Sequence, residues 1–206
     1  ERDYSSKVKF LLDNGYAYYA FDTKDDLDSA HKNNSNFKYD ASTRMSMKNS
    51  LTMSKSDVDN LINSGTPYVI RFKVPANLDV DFTDSILGDI TINTNQVDDK
   101  VLLKSNGIGS YHLCNVCDDH DMGVTHVLRG QEWIASTPFH ILLYKAFGWN
   151  VPTFAHLPLI MNPDGKGKLS KRTAAKYGIP IAPIGYVDDA GVYQKGWKDL
   201  GYDPNA

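Results

Sequence analysis

Apolar positions recur at helical spacing in "DYSSKVKFLLDNG", where Val8, Leu11 and Leu12 share a face and Gly15 supplies a C-terminal stop. The aromatic run "YAYYAF" then predicts a strand. "TKDDLDSAHK" predicts a helix with Thr23 as N-cap and acidic residues in the first turn, where the helix dipole favours negative charge. From Asn33 to Ser50 the chain is polar and rich in Asn, Ser and Lys, the pattern of a loop or frayed helix. "SKSDVDNLINSG" predicts a helix capped by Ser56 and ending at Gly65. "PYVIRFKVP" reads as a strand bounded by prolines. "FTDSILGDITIN" and "KVLLK" read as further strands, with turns at Asp98-Asp99 and Ser105-Asn106-Gly107.

The texture changes near Ser105. "EWIASTPFHILLYKAFGW" has Phe139, Leu142, Leu143, Ala146 and Phe147 on one face of an amphipathic helix. It lies between two apolar stretches, one ending at Arg129 and the other "FAHLPLIM", read as a buried strand. Strand, helix, strand and then a basic loop make a βαβ unit that feeds a parallel sheet. Ligands on such sheets bind outside the carboxyl ends of the strands, and Arg129 and Lys166–Arg172 both fall there.

Composition narrows the class without assigning a function. In 206 residues, 41% are apolar and 23% charged, an ordinary balance for a globular protein. A net charge of −3 gives no global attraction to nucleic acid, so any such binding depends on local patches. No apolar run is long enough to span a bilayer, and none resembles a signal peptide; cytoplasmic localisation is expected. The first residue, Glu1, is not Met and suggests a trimmed chain. Two cysteines do not make a disulfide framework.

Three stretches carry candidate chemistry. "DGKGKLSKR" packs four basic residues behind two glycines, which suits either a solvated turn or a loop closing on a triphosphate. "TMSKS", Thr52 to Ser56, has nearly the same letters, but it lacks the glycines and leads into a helix. "YHLCNVCDDH" contains a CxxC pair, Cys114 and Cys117. A structural zinc site needs a second pair of ligands, which is absent, so two small core residues are the favoured reading. In "THVLRGQEW", Arg129 ends an apolar strand and could grip a carboxylate with its planar fork or form a surface ion pair. Trp133 could wall a small-molecule pocket or cap the core.

Together, "SYHLCNVCDDHDMGVTHVLRGQEW", "FAHLPLIMNPDGKGKLSKR" and, upstream, "LLDNGYAYYAFDT", "FKYDASTR" and "GTPYVIRFKVP" resemble bacterial-type glutamyl-tRNA synthetase, a class I aminoacyl-tRNA synthetase. The resemblance implies an α/β fold: the second half of a Rossmann-type nucleotide-binding domain with an α+β insertion that binds the tRNA acceptor end. Residues 1–104 would form the insertion, beginning with the end of a catalytic-domain helix. Residues 105–178 would form the second catalytic half with the KLSKR loop, and 179–206 the start of a stem-contact or linker region.

The implied reaction joins L-glutamate to tRNA(Glu) through glutamyl-adenylate, with ATP and Mg2+ and no zinc, in a monomer. Tyr111, Asn115, Arg129 and Trp133 would hold glutamate. Glu132, Leu159, Ile160, Lys168, Leu169, Ser170, Lys171 and Arg172 would meet ATP. Of these, Lys168, Ser170, Lys171 and Arg172 would act on the triphosphate as the catalytic loop. The family's HIGH signature and its anticodon-binding domain are absent from the sequence, which makes the chain an internal fragment expected to be inactive alone. Gln131 stands where an acidic residue is usual. Alternatives are a glutamyl-Q tRNA(Asp) synthetase-like paralogue and a non-catalytic acceptor-stem binding module. A glutaminyl enzyme is disfavoured, because a neutral amide would leave Arg129 unpaired.

Overall fold

A computed structural model describes residues 3–177 together with 186–187 and 193–194. The first helix, α1 (Ser5–Asp13), buries Val8 and Leu11 as its spacing requires, and Gly15 leaves it at φ +73°. Strand β1 (Ala17–Ala20) follows. Helix α2 (Lys24–Asn33) opens on a full capping box, in which the Thr23 hydroxyl accepts from the Asp26 N–H and the Asp26 carboxylate accepts from the Thr23 N–H. Residues 34–54 are more ordered than their polarity suggests. Tyr39, Arg44 and Asn49 are buried, and the Asn49 amide donates to the Arg44 carbonyl.

Helix α3 (Lys55–Asn63) is capped by Ser54, whose hydroxyl accepts from the Asp57 N–H. Ser56 therefore lies inside the first turn and is not the expected cap. Strand β2 (Val69–Phe72) pairs antiparallel with β1 on one side and with β5 (Val101–Leu103) on the other. Asp99, expected in an open turn, is fully buried. Its carboxylate accepts from Arg44, Tyr18 and the Val74 N–H, which fastens the polar 40s segment to this sheet.

"FTDSILGDITIN" folds as a hairpin. Strands β3 (Asp79–Asp84) and β4 (Gly88–Asn93) are joined by a three-residue turn, with Gly88 at φ +79°. The hairpin belongs to a second, mixed sheet ordered β4-β3-β7-β6. Its other strands are β6 (His126–Gly130) and β7 (Thr153–Leu157), parallel neighbours as the βαβ reading requires. The division expected near Lys104 is crossed by this sheet, because β3 and β4 lie upstream of it and β3 pairs with β7. The compact division of the chain falls between Leu157 and Pro158.

Helix α4 (Tyr111–Asp121) precedes β6, and α5 (Thr137–Phe147) crosses from β6 to β7 behind a short 3-10 stretch, Gln131–Ser136. Every residue of α5 from Thr137 to Tyr144 is buried. It is an enclosed helix, and the expected amphipathic face does not describe it, since α1, α4 and the sheets surround it. One core runs through Val8, Leu11, Phe72, Leu102, Leu113, Val116 and Phe139. The edge-to-face pair Phe72–Phe139, at 5.4 Å, joins the first sheet to α5. Cys117 lies in this core, whereas Cys114 is partly exposed, short of the burial expected of both. Burial pushes the Cys117 thiol up to about 12.

In the second unit, the apolar stretch read as one strand to Met161 has already ended at Leu157. Ile160 is 73% exposed. A tight turn follows, with Gly165 and Gly167 at φ +72° and +77°, closed by an antiparallel bridge between Met161 and Lys168. Helix α6 (Lys171–Lys176) comes next. Tyr186–Val187 and Tyr193–Gln194 pair antiparallel; the rest of the region expected as the stem-contact segment, 179–206, lies outside the described residues.

Candidate active site

The end of β6 delivers Arg129 to a cluster of imidazoles. Its Nε donates to His156 Nε2 at 3.0 Å, Nη1 to His140 Nδ1 at 3.1 Å and Nη2 to the Thr137 hydroxyl at 2.7 Å. The Phe154 ring lies 5.1 Å from the guanidinium carbon. Among the described residues, Arg129 forms no salt bridge. A half-buried cation is thus held by neutral groups. Burial lowers its pKa, while the nearby Tyr111 hydroxyl and Asp119 act in the opposite direction. A guanidinium carries five N–H donors; Nη2 also donates to the Trp133 carbonyl at 3.5 Å, so these four contacts leave one donor, on Nη1, for a ligand.

Donor logic assigns the imidazoles. Arginine cannot accept, so the nitrogens facing it, His140 Nδ1 and His156 Nε2, carry no proton. In neutral rings the opposite nitrogens then hold the protons. His140 Nε2–H donates to His112 Nδ1 at 2.9 Å, and His156 Nδ1–H donates to Asp84 Oδ2 at 2.6 Å. Burial and the adjacent Arg129 charge press His140 down to about 3. His112 is held at about 4 by burial, Lys100 and Arg129. Burial alone would raise the Asp84 carboxyl. Hydrogen bonds from the His156 ring and from the N–H groups of Leu87, Ile86 and His156 outweigh it and bring Asp84 to about 2.

The glutamate-site residues expected from the sequence partly converge here. Tyr111, the first residue of α4, lies against Trp133 with ring centroids 4.8 Å apart, and 6.3 Å from His140. Asn115 follows one helical turn later on the same face, half-buried. Glu132 turns back beneath Gly130, where a Cβ would meet its carboxylate, so a larger residue there would push the Glu132 side chain aside. His140, His156, Thr137 and Asp84 were not anticipated. Among the described residues, no group of three or more His, Cys, Asp or Glu side chains could hold a metal ion.

The remaining expected residues belong to the second unit. Leu159 is half-buried and Ile160 exposed. Leu169 donates its N–H to the Ile160 carbonyl, so the basic turn folds back on the residues expected at adenine. Lys168 and Arg172 are exposed, and Ser170 caps α6 by accepting from the Thr173 N–H. The Lys171 side chain lies outside what the structure describes.

Residues 1–185 match the family described as tRNA synthetases class I (E and Q), catalytic domain. Glutamate–tRNA ligases of Bacteroides thetaiotaomicron and Phocaeicola vulgatus are 50% and 52% identical over 98% of the chain, which spans 41% of each relative's length. A crystal structure of a glutamate tRNA ligase from Elizabethkingia meningosepticum in complex with its amino acid superposes with a TM-score of 0.84, at 44% identity. That match covers 97% of this chain and 41% of that one. With the family profile, the curated relatives and the superposed structure in agreement, the chain belongs to the class I tRNA synthetases for glutamate and glutamine, as part of their catalytic domain.

Proposed function

We propose that the protein carrying this chain attaches L-glutamate to tRNA(Glu) with ATP, through a glutamyl-adenylate. The observation that carries this reading is Arg129, a half-buried cation surrounded by neutral acceptors, with one Nη1 donor left for an anionic ligand. A carboxylate would accept a charge-assisted hydrogen bond from that donor and neutralise the cation. Tyr111 and Trp133 would wall the aliphatic part of the amino acid, and Asn115 would supply a further polar contact. A glutamine amide would leave the cation unneutralised in a partly desolvated pocket, which disfavours a glutaminyl enzyme. The relatives' common name supports glutamate ligation over the glutamyl-Q paralogue and over a binding module without activity.

The basic turn suits the triphosphate. Two left-handed glycines let the chain reverse tightly, and Lys168, Lys171 and Arg172 concentrate positive charge there. Adenylate formation needs the amino-acid carboxylate aligned on the α-phosphate and stabilisation of the departing pyrophosphate, which is work for positioned cations. Leu159, Ile160 and Leu169 would contact the nucleotide. Mg2+ would arrive with ATP, since phosphate oxygens commonly complete magnesium's coordination. Residues 1–104 would contribute the acceptor-end contacts; a cytoplasmic monomer is part of the same reading.

The test is ATP–pyrophosphate exchange by the full-length protein with tRNA present. Glutamate should support exchange, and glutamine should fall below it by at least about a hundredfold, the scale of leaving a buried charge unpaired. Equal or better exchange with glutamine would refute the assignment.

A further inference from the structure

Asp84 lies in the β3–β4 hairpin, far from Arg129 in sequence, yet one imidazole separates them. We propose that Asp84 and His156 are positioning residues for Arg129. Asp84 fixes the tautomer of His156 so that a bare nitrogen faces the guanidinium, and this aims the remaining Nη1 donor at the ligand's carboxylate. The inference rests on the glutamate reading of the Arg129 pocket.

The geometry separates two duties of the one carboxylate. Oδ1 accepts the Ile86 and Leu87 N–H groups, both at 3.0 Å, and closes the hairpin turn. Oδ2 accepts His156 Nδ1–H at 2.6 Å. The His156 backbone N–H reaches both oxygens, at 3.2 and 3.1 Å. Asp84 and His156 are both buried, so this contact is shielded from solvent. A carboxylate can only accept, and it therefore forces the proton onto Nδ1. Nε2 is left as an acceptor pointing at Arg129 Nε, 3.0 Å away. With the proton on Nε2 instead, two donors would oppose each other and the guanidinium would have to turn. Outer partners commonly set the tautomer and orientation of the group they support in this way.

Asp84→Asn tests the second duty while sparing the first. The amide keeps an oxygen for Ile86 and Leu87, but its NH2 now faces His156 and favours the proton on Nε2. In ATP–pyrophosphate exchange by the full-length protein, the KM for glutamate should rise about 10- to 100-fold, the usual effect of losing such an outer partner. The KM for ATP and the kcat at saturating glutamate should stay near wild type, because the loss falls on amino-acid binding. An unchanged glutamate KM, or an equal rise for both substrates, would overturn the proposal.

The second measurement needs no variant. Nitrogen-15 NMR of the wild-type protein should find His156 neutral with its proton on Nδ1, and an Arg129 Nε–H that exchanges slowly with solvent. A proton on Nε2, or a rapidly exchanging Arg129 Nε–H, refutes the positioning role even if Asp84→Asn fails to fold. Should the wild-type protein show no glutamate-dependent exchange, the glutamate reading fails, and the NMR result still decides whether Asp84 and His156 hold Arg129.

Discussion

Three histidines cluster near Arg129, and burial beside its charge suppresses protonation of two of them, which makes acid the natural probe of the site. His140 titrates at about 3 and His112 at about 4 in the folded chain, against an unfolded value of about 6.5. Their folded pKa values are depressed, so the stability they contribute is complete above about pH 6.5 and is lost as pH falls toward 4 and 3. Asp84, at about 2 when folded against about 3.9 unfolded, contributes in the same sense, but only below about pH 4. The urea midpoint should therefore begin to fall near pH 6.5, well before ordinary carboxylates protonate. His140→Gln keeps an acceptor for Arg129 and removes one titrating ring, so it should flatten the slope between pH 6.5 and 4. A wild-type midpoint that is flat down to pH 4 would show that these rings are not held neutral. Sequence alone signals part of this cluster. Period-2 alternation through "FAHL" places His156 on the same buried face as Phe154, and His140 lies within an otherwise apolar helix. A polar residue in core phase asks for a partner, but Asp84 is 72 positions from His156, and no local pattern links them.

Elements were legible where a local interaction closes them. Thr23 reads as a cap because Asp26 stands three residues on, and the reciprocal bonds form. In α3 the same logic has two serines to choose from. Each has an aspartate three residues on, Asp57 for Ser54 and Asp59 for Ser56, so the pattern alone does not choose, and it is Ser54 that forms the cap with Asp57. Ser54→Ala should destabilise the protein by about 1 kcal/mol, the usual cost of losing a side-chain cap. Ser56→Ala should stay within about 0.5 kcal/mol, as for a surface helix position. Thermal or urea unfolding measures both, and the opposite order would return the cap to Ser56. Other elements escaped for non-local reasons. The β3–β4 turn depends on the Asp84 carboxylate accepting two N–H groups, and a strand-like letter pattern conceals it. Helix α5 shows apolar periodicity, yet its polar positions Thr137 and His140 are also buried, because the pocket supplies their partners. Strand β7 ends at Leu157, immediately before Pro158, which lacks the N–H needed to continue the ladder.

At the scale of the whole molecule, two nearly identical motifs must be told apart. "TMSKS" and "KLSKR" both lead into helices, and in both the central serine is the cap: Ser54 accepts from the Asp57 N–H, and Ser170 from the Thr173 N–H. Leading into a helix therefore cannot disqualify the first motif. What differs is the approach. Lys168–Arg172 comes after the parallel strand β7 and through a reversal that places Gly165 and Gly167 in left-handed backbone, whereas Thr52–Ser56 follows an Asn49-centred turn in a separate part of the chain. In parallel α/β sheets, ligands gather beyond the carboxyl ends of strands, and under the proposed function the triphosphate is expected at the second motif. In the full-length protein, Lys171→Ala should slow glutamate-dependent ATP–pyrophosphate exchange by at least about a hundredfold, the scale of losing one contact to transition-state charge. Glutamate affinity measured without ATP should change little, because that contact forms as phosphate charge develops. Lys55→Ala, on the exposed first turn of α3, should leave exchange near wild type. If Lys55 proves essential for exchange and Lys171 dispensable, the triphosphate belongs on the other serine-capped turn, and the strand-end argument fails for this chain.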